Sequence, residues 1–332
     1  MNSLFIYEEL FYPYDEGMKK FSYKIYQNIE QRMRVKAIKD IHALPSTLNS
    51  LLIAPRIILA SLYRRPDYIV FIPKQSLTFF SLIKAWLIYL FVGERLRVVG
   101  LQKRNISEGK ARLLKKLKFG KVFVLSQAMR TDLEHLNIHA DVIYTGIDTN
   151  RFQPAANKAA LKAKYDVPEN RIILLHVGHI KESRNLELLI ELNRKLDNCQ
   201  VIIVGSTATT QEQKVQKMCT DAGIIVFNEN IDDIHELYGL SDIYCFPVKN
   251  DNGAMETPLS VLEAMSVNLP VITTRFGQLT ELFGEDDTFL YIDSADDIND
   301  ETINRLLSHE TANRKKVESF TWDATTRKIL SA

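Results

Sequence analysis

Short runs of apolar, often β-branched residues alternate along the chain with longer stretches of mixed polarity. That is the pattern of repeated βαβ units, whose parallel strands are covered by helices on both faces. In the first half the runs predict strands near Leu4–Tyr7, Val35–Ile41, Tyr68–Ile72, Leu96–Leu101, Val122–Leu125 and Asp141–Tyr144. A second series starts at Ile172–Val177 and continues with Gln200–Val204, Ile224–Phe227, Ile243–Phe246 and Val271–Thr273. Between the two, Thr145–Pro168 carries a glycine, two prolines and a polar stretch, a break in the rhythm. The expected organisation is an α/β protein of two doubly wound, Rossmann-like domains, residues 1–150 and 171–318. A linker over 151–170 joins them, and a C-terminal helix over 319–332 returns toward the first domain. One segment stands out from the pattern. Ser76–Val92 is apolar over 17 residues with a single charge, Lys84, at the short edge of a membrane-spanning helix. A buried helix of the α/β core is the plain reading, and partial insertion at a bilayer surface is the alternative.

Composition adds an asymmetry. The 332 residues carry a net charge of only +1, which excludes nucleic-acid binding by bulk charge. Residues 1–150, however, hold 23 Lys/Arg against 13 Asp/Glu, and residues 151–332 hold 19 against 28, so a basic half is joined to an acidic one. Cys199, Cys219 and Cys245 form neither a disulfide framework nor a zinc spacing, as expected for a protein of the reducing cytoplasm. Met1–Leu10 includes Glu8 and Glu9 and no positive n-region, so no secretory signal is expected.

Candidate chemistry gathers where predicted strands run into helices. After Ile172–Val177 comes Gly178-His179, then Arg184-Asn185 at a helix start, where a cation beside unpaired N–H groups can hold a diphosphate. The chain has neither G-x-G-x-x-G nor a P-loop signature. After Ile243–Phe246, the stretch Asn250–Met265 opens a second helix, so the N–H groups of Leu259 and Ser260 can meet an anion. Glu263 lies inside that helix among apolar residues, where a carboxylate must pair with a cation or accept hydrogen bonds from a ligand.

Several segments in order resemble one family. Thr145-Gly146-Ile147-Asp148 through Phe152-Gln153-Pro154, His176-Val177-Gly178 through Arg184-Asn185, Pro258–Met265 and Leu269–Thr274 are similar to motifs of the retaining glycosyltransferases of family 4. Val124–Ser126 and Thr131–Leu133 resemble the end of that family's acceptor domain. The resemblance implies the GT-B architecture, two facing Rossmann-like domains with a donor cleft between them. It further implies that Glu263 accepts the ribose hydroxyls of a nucleotide-sugar. Gly17, Gly178, His179, Arg184, Leu259 and Ser260 would hold its diphosphate, and Gln102 and Glu256 would stand near the transferring sugar. Three departures accompany it. His179 replaces an arginine, six rather than seven residues separate Glu256 from Glu263, with Met255 in the strict position, and Gln102 stands where a histidine is usual. Gln102 can position a group but cannot take its proton.

The activity implied is a retaining, metal-independent transfer of a sugar from a nucleoside-diphosphate donor to a glycan or lipid-linked acceptor, in polysaccharide or glycolipid biosynthesis. No cofactor, metal or nucleic acid is implied. The basic first domain is expected at an anionic membrane surface, which would make the protein peripheral on the cytoplasmic membrane face. The rival reading is a degenerate scaffold subunit that keeps the fold without the chemistry.

Overall fold

The computed structural model describes residues 2–41, 43–206, 212–249 and 254–331. The first series comprises β1 (Asn2–Ile6), α1 (Gly17–Glu30), β2 (Arg34–Ile38), α2 (Ser46–Arg64), β3 (Tyr68–Phe71), α3 (Phe79–Val92), β4 (Leu96–Gly100), α4 (Glu108–Leu114), β5 (Lys121–Val124), α5 (Gln127–Glu134) and β6 (Ala140–Val142). After α6 (Lys158–Lys164) the second begins. It holds β7 (Ile172–Gly178), α7 (Leu186–Lys195), β8 (Cys199–Gly205), α8 (Gln213–Asp221), β9 (Ile225–Phe227), α9 (Ile234–Leu240), β10 (Ile243–Phe246), α10 (Leu259–Ser266), β11 (Val271–Thr273), α11 (Leu279–Leu282) and β12 (Phe289–Tyr291). The chain closes with α12 (Asp300–Ser308), α13 (Asn313–Val317) and α14 (Trp322–Ser331).

The sheets are six-stranded, ordered β2-β1-β3-β4-β5-β6 and β12-β11-β10-β7-β8-β9. Every strand pair in them is parallel. β12 is the strand that the apolar pattern does not announce. In each sheet the strand order reverses beside its first strand, between β1 and β3 and between β7 and β10, which is where open α/β sheets take ligands.

Apolar packing joins the two units. Met18, Phe21 and Ile25 of α1 share one buried cluster with Met255 and Leu259 of the second unit and with Trp322 of α14. The Phe21 and Trp322 rings meet edge to face at 5.6 Å, and the Thr325 hydroxyl donates to the Tyr144 carbonyl at 2.7 Å. The C-terminal helix is thereby fixed to the first unit. All three cysteines are free and buried.

α3 departs from the plain reading of Ser76–Val92. Leu82, Ala85, Ile88 and Val92 are buried, but Phe80, Leu90 and Phe91 stand in solvent, 69%, 58% and 56% exposed. The neighbouring α2 exposes Leu51, Leu59, Leu62 and Tyr63, so the two helices present an apolar outer face. Among the described residues no helix is long and apolar enough to cross a membrane.

Candidate active site

Both sheets aim their switch points at one cavity of about 450 Å³ between the two units. The first unit lines it with the loop after β1, the start of α1 and Gln102, and the second lines it with the loop after β7 and the start of α10. Every sequence-predicted site residue except Glu256 borders it.

Gly178 ends β7, and Arg184 closes a short 3-10 turn before α7. The Arg184 guanidinium is buried, which pulls its pKa down to about 10 against the opposing pull of Glu16 and Tyr244. His179 is depressed to about 3 by burial, then by the Arg184 and Lys181 charges. It is therefore a neutral ring at physiological pH, where an arginine would bring a second permanent cation. Across the cavity, α10 opens after Pro258 with no side-chain cap, and Leu259 and Ser260 both line the wall. Such a helix start offers N–H groups without intrahelical acceptors.

Glu263 sits one turn further along α10, 3% exposed. One carboxylate oxygen pairs with the Lys20 ammonium of α1, and the other accepts the Tyr238 hydroxyl at 3.0 Å. A buried carboxylate is costly unless paired and hydrogen-bonded, and these two partners meet that requirement, one at each oxygen of a residue that borders the cavity. Gln102 follows β4 on the facing wall, its side-chain oxygen accepting from Arg104 at 2.6 Å.

Glu256 is the residue the structure turns away. Its carboxylate accepts the Ser126 hydroxyl at 2.9 Å and the Lys103 amide at 3.4 Å, both from the first unit, while its own N–H donates to the Leu101 carbonyl at 2.9 Å. The expected reach toward sugar hydroxyls is replaced by a bridge between the units. Met255 fronts the cavity instead, packed so closely on Gly17 that a Cβ there would lie 3.0 Å from its sulfur. The first four residues of the Asn250–Met265 stretch lie outside the described residues.

Sequence reasoning missed Glu16, Lys20 and Tyr238. It also missed a cross-unit cluster in which the Tyr12 hydroxyl donates to Asp232 at 2.9 Å and Asn230 donates to the Tyr12 oxygen at 2.8 Å. A charged stripe on α1 was the available signal, but Lys20 and Glu263 are 243 positions apart.

Residues 157–321 match the family described as Glycosyl transferases group 1. Sulfoquinovosyl transferase SQD2 of Arabidopsis thaliana is 27% identical over 200 residues, 55% of this chain and 38% of that protein. The chain spans less than half the length of the curated relatives it matches. Among solved structures, a glycosyltransferase from Rickettsia africae superposes with a TM-score of 0.74 at 18% identity, covering 99% of this chain and 97% of that one. Anabaena HepE in complex with UDP-glucose superposes with a TM-score of 0.67 at 16% identity, covering 100% and 94%. The fold is that of the GT-B glycosyltransferases.

Proposed function

Residues 157–321 belong to the glycosyl transferases group 1 family, and from that premise we propose that the chain transfers a sugar from a nucleoside-diphosphate donor to a glycan or lipid-linked acceptor. The observation that carries this is the cavity at both switch points, where a buried arginine, an uncapped helix start and a buried carboxylate face one space. As the glycosidic bond loosens, negative charge builds on the leaving diphosphate. Arg184 and the first N–H groups of α10 supply positive potential there, in a site shielded from water. In this reading the ribose hydroxyls donate to Glu263, and Gln102 positions the sugar or acceptor by hydrogen bonding. The positive charge comes from the protein, so the proposed transfer needs no metal. The resemblance of the donor-loop motifs to those of the retaining glycosyltransferases of family 4 supports a transfer that retains the anomeric configuration. Following UDP- and GDP-sugars with the pure protein by NMR tests this reading. An α-linked donor should give an α-linked product, or slow release of nucleoside diphosphate without acceptor. If nucleotide binds yet no sugar bond is broken under either condition, the chain is a binding subunit.

The acceptor side of the proposal rests on α2 and α3. Their exposed apolar face borders α4, whose Lys110 ammonium lies 5.4 Å from the Phe79 ring centre and 5.8 Å from that of Phe80. Exposed Arg112, Lys115, Lys116 and Lys118 continue the positive charge. An apolar face edged by cations suits an anionic lipid surface, each cation near it contributing about 1 kcal/mol. A lipid-linked acceptor would then reach the cleft from the membrane on which the first unit rests.

A further inference from the structure

Glu16, Lys20 and Lys24 occupy the cap, the first turn and the second turn of α1, at i, i+4 and i+8 along one stripe of the helix. All three lie near opposite charge outside their own helix. Lys20 pairs with Glu263 across the cleft, Lys24 reaches Asp148 in the segment after β6 at 3.4 Å, and Glu16 shares the cavity wall with Arg184, whose charge acts on its carboxylate. The Lys20–Glu263 pair, together with Gly17 pressed on Met255, holds the start of α1 against the second unit.

Glu16 caps its own helix, its carboxylate accepting the Lys19 N–H at 2.9 Å. Helix-start amides on one side and a buried guanidinium on the other form the donor set that suits a phosphate. In this chain the amide half of that set already serves a carboxylate. Partial burial raises the Glu16 pKa, partly offset by those amides and by the Arg184 charge, so the charge on this carboxylate depends on groups a diphosphate would also seek. The arrangement differs at α10, whose start carries no side-chain cap.

Building on the donor-site reading above, we propose that Glu16 is an internal competitor of the donor diphosphate and sets the affinity and phosphate selectivity of the cleft. A diphosphate engages Arg184 and the start of α1 only by displacing or neutralising this carboxylate. A ligand without phosphates avoids that competition.

Isothermal titration of the full chain with UDP, GDP, inorganic pyrophosphate, uridine and guanosine tests this in the wild type, Glu16→Gln and Glu16→Ser. Serine keeps a helix cap without the charge, and far-UV circular dichroism checks that both variants fold. Removing one like charge near a diphosphate is expected to tighten it roughly tenfold. Both variants should therefore bind whichever nucleoside diphosphate the wild type binds roughly tenfold more tightly, with pyrophosphate tightening too and the nucleosides unmoved. Unchanged or weaker diphosphate binding in both folded variants overturns the role of Glu16. If neither UDP nor GDP binds any of the three proteins, the donor-site reading itself fails, an outcome separate from the first.

Discussion

Replacing Gly277 by alanine perturbs the scaffold under the cleft in a way that can be separated into two costs. Gly277 has φ +50, and a Cβ there would lie 2.3 Å from the Glu256 carbonyl oxygen and 3.0 Å from its carbon. Both are main-chain atoms, and the same oxygen accepts the Gln278 N–H at 2.8 Å, so no rotamer change relieves the overlap. Left-handed backbone costs a non-glycine residue about 1 kcal/mol, and a clash that must move main chain adds ~2 kcal/mol. Gly223 provides the control. Its φ is +77, yet the nearest atom to a Cβ is the Asn193 amide nitrogen at 3.8 Å, so Gly223→Ala should carry only the first cost. Urea unfolding followed by far-UV circular dichroism, with equal slopes, should place Gly277→Ala about 2 kcal/mol below Gly223→Ala. A difference under ~0.5 kcal/mol would refute the claim that this glycine exists to let the Glu256 loop approach.

Two further outcomes follow from burial. The Nδ1 atom of His176 stands 3.0 Å from the Cys245 carbonyl, which can only accept, and burial lowers the ring's pKa to about 4. Because the folded value lies below the ordinary 6.5, the unfolded chain takes up the proton first as pH falls. Stability is then complete above about pH 6.5 and is lost toward pH 4, by ~2 kcal/mol at pH 5 from this residue. Urea midpoints at pH 7 and pH 5 should show a smaller fall in His176→Gln, and an identical fall would sink the assignment. At the membrane, the wild type should co-sediment with anionic but not zwitterionic vesicles, weakened by salt. The pair Leu62→Ser and Phe80→Ser should reduce that binding several-fold, and unaltered binding would show that the α2–α3 face takes no part.

What was legible in the chain follows from where each signal resides. Strands buried on both faces must be continuously apolar, so β7, β8 and β10 stand out, whereas β12, Phe289–Tyr291, is a short strand at the sheet edge that ends in a half-buried tyrosine. The segment Phe79–Val92 is apolar nearly all round, and such a sequence cannot tell which face is covered. Only the packing of α2 and α3 shows the open one. Arg184, Leu259, Ser260 and Glu263 were readable because their loops follow recognisable strands. The Lys20 and Glu16 sides of the same cavity were not, because their partners are brought to them only when the two sheets face one another. Glu256 shows the converse limit. Its place in the sequence was clear, but its direction depended on Ser126 and Lys103 in the other unit.

The central claim is that the cleft binds the nucleoside diphosphate of a sugar donor through Arg184 and Glu263. Isothermal titration of UDP and GDP into the wild type, Arg184→Ala and Glu263→Ala tests it most directly. Losing a buried charge-assisted contact costs about 2–5 kcal/mol, so one diphosphate should bind the wild type and each variant should weaken it at least roughly thirtyfold. Absence of binding to the wild type, or wild-type affinity in both variants, would contradict the account.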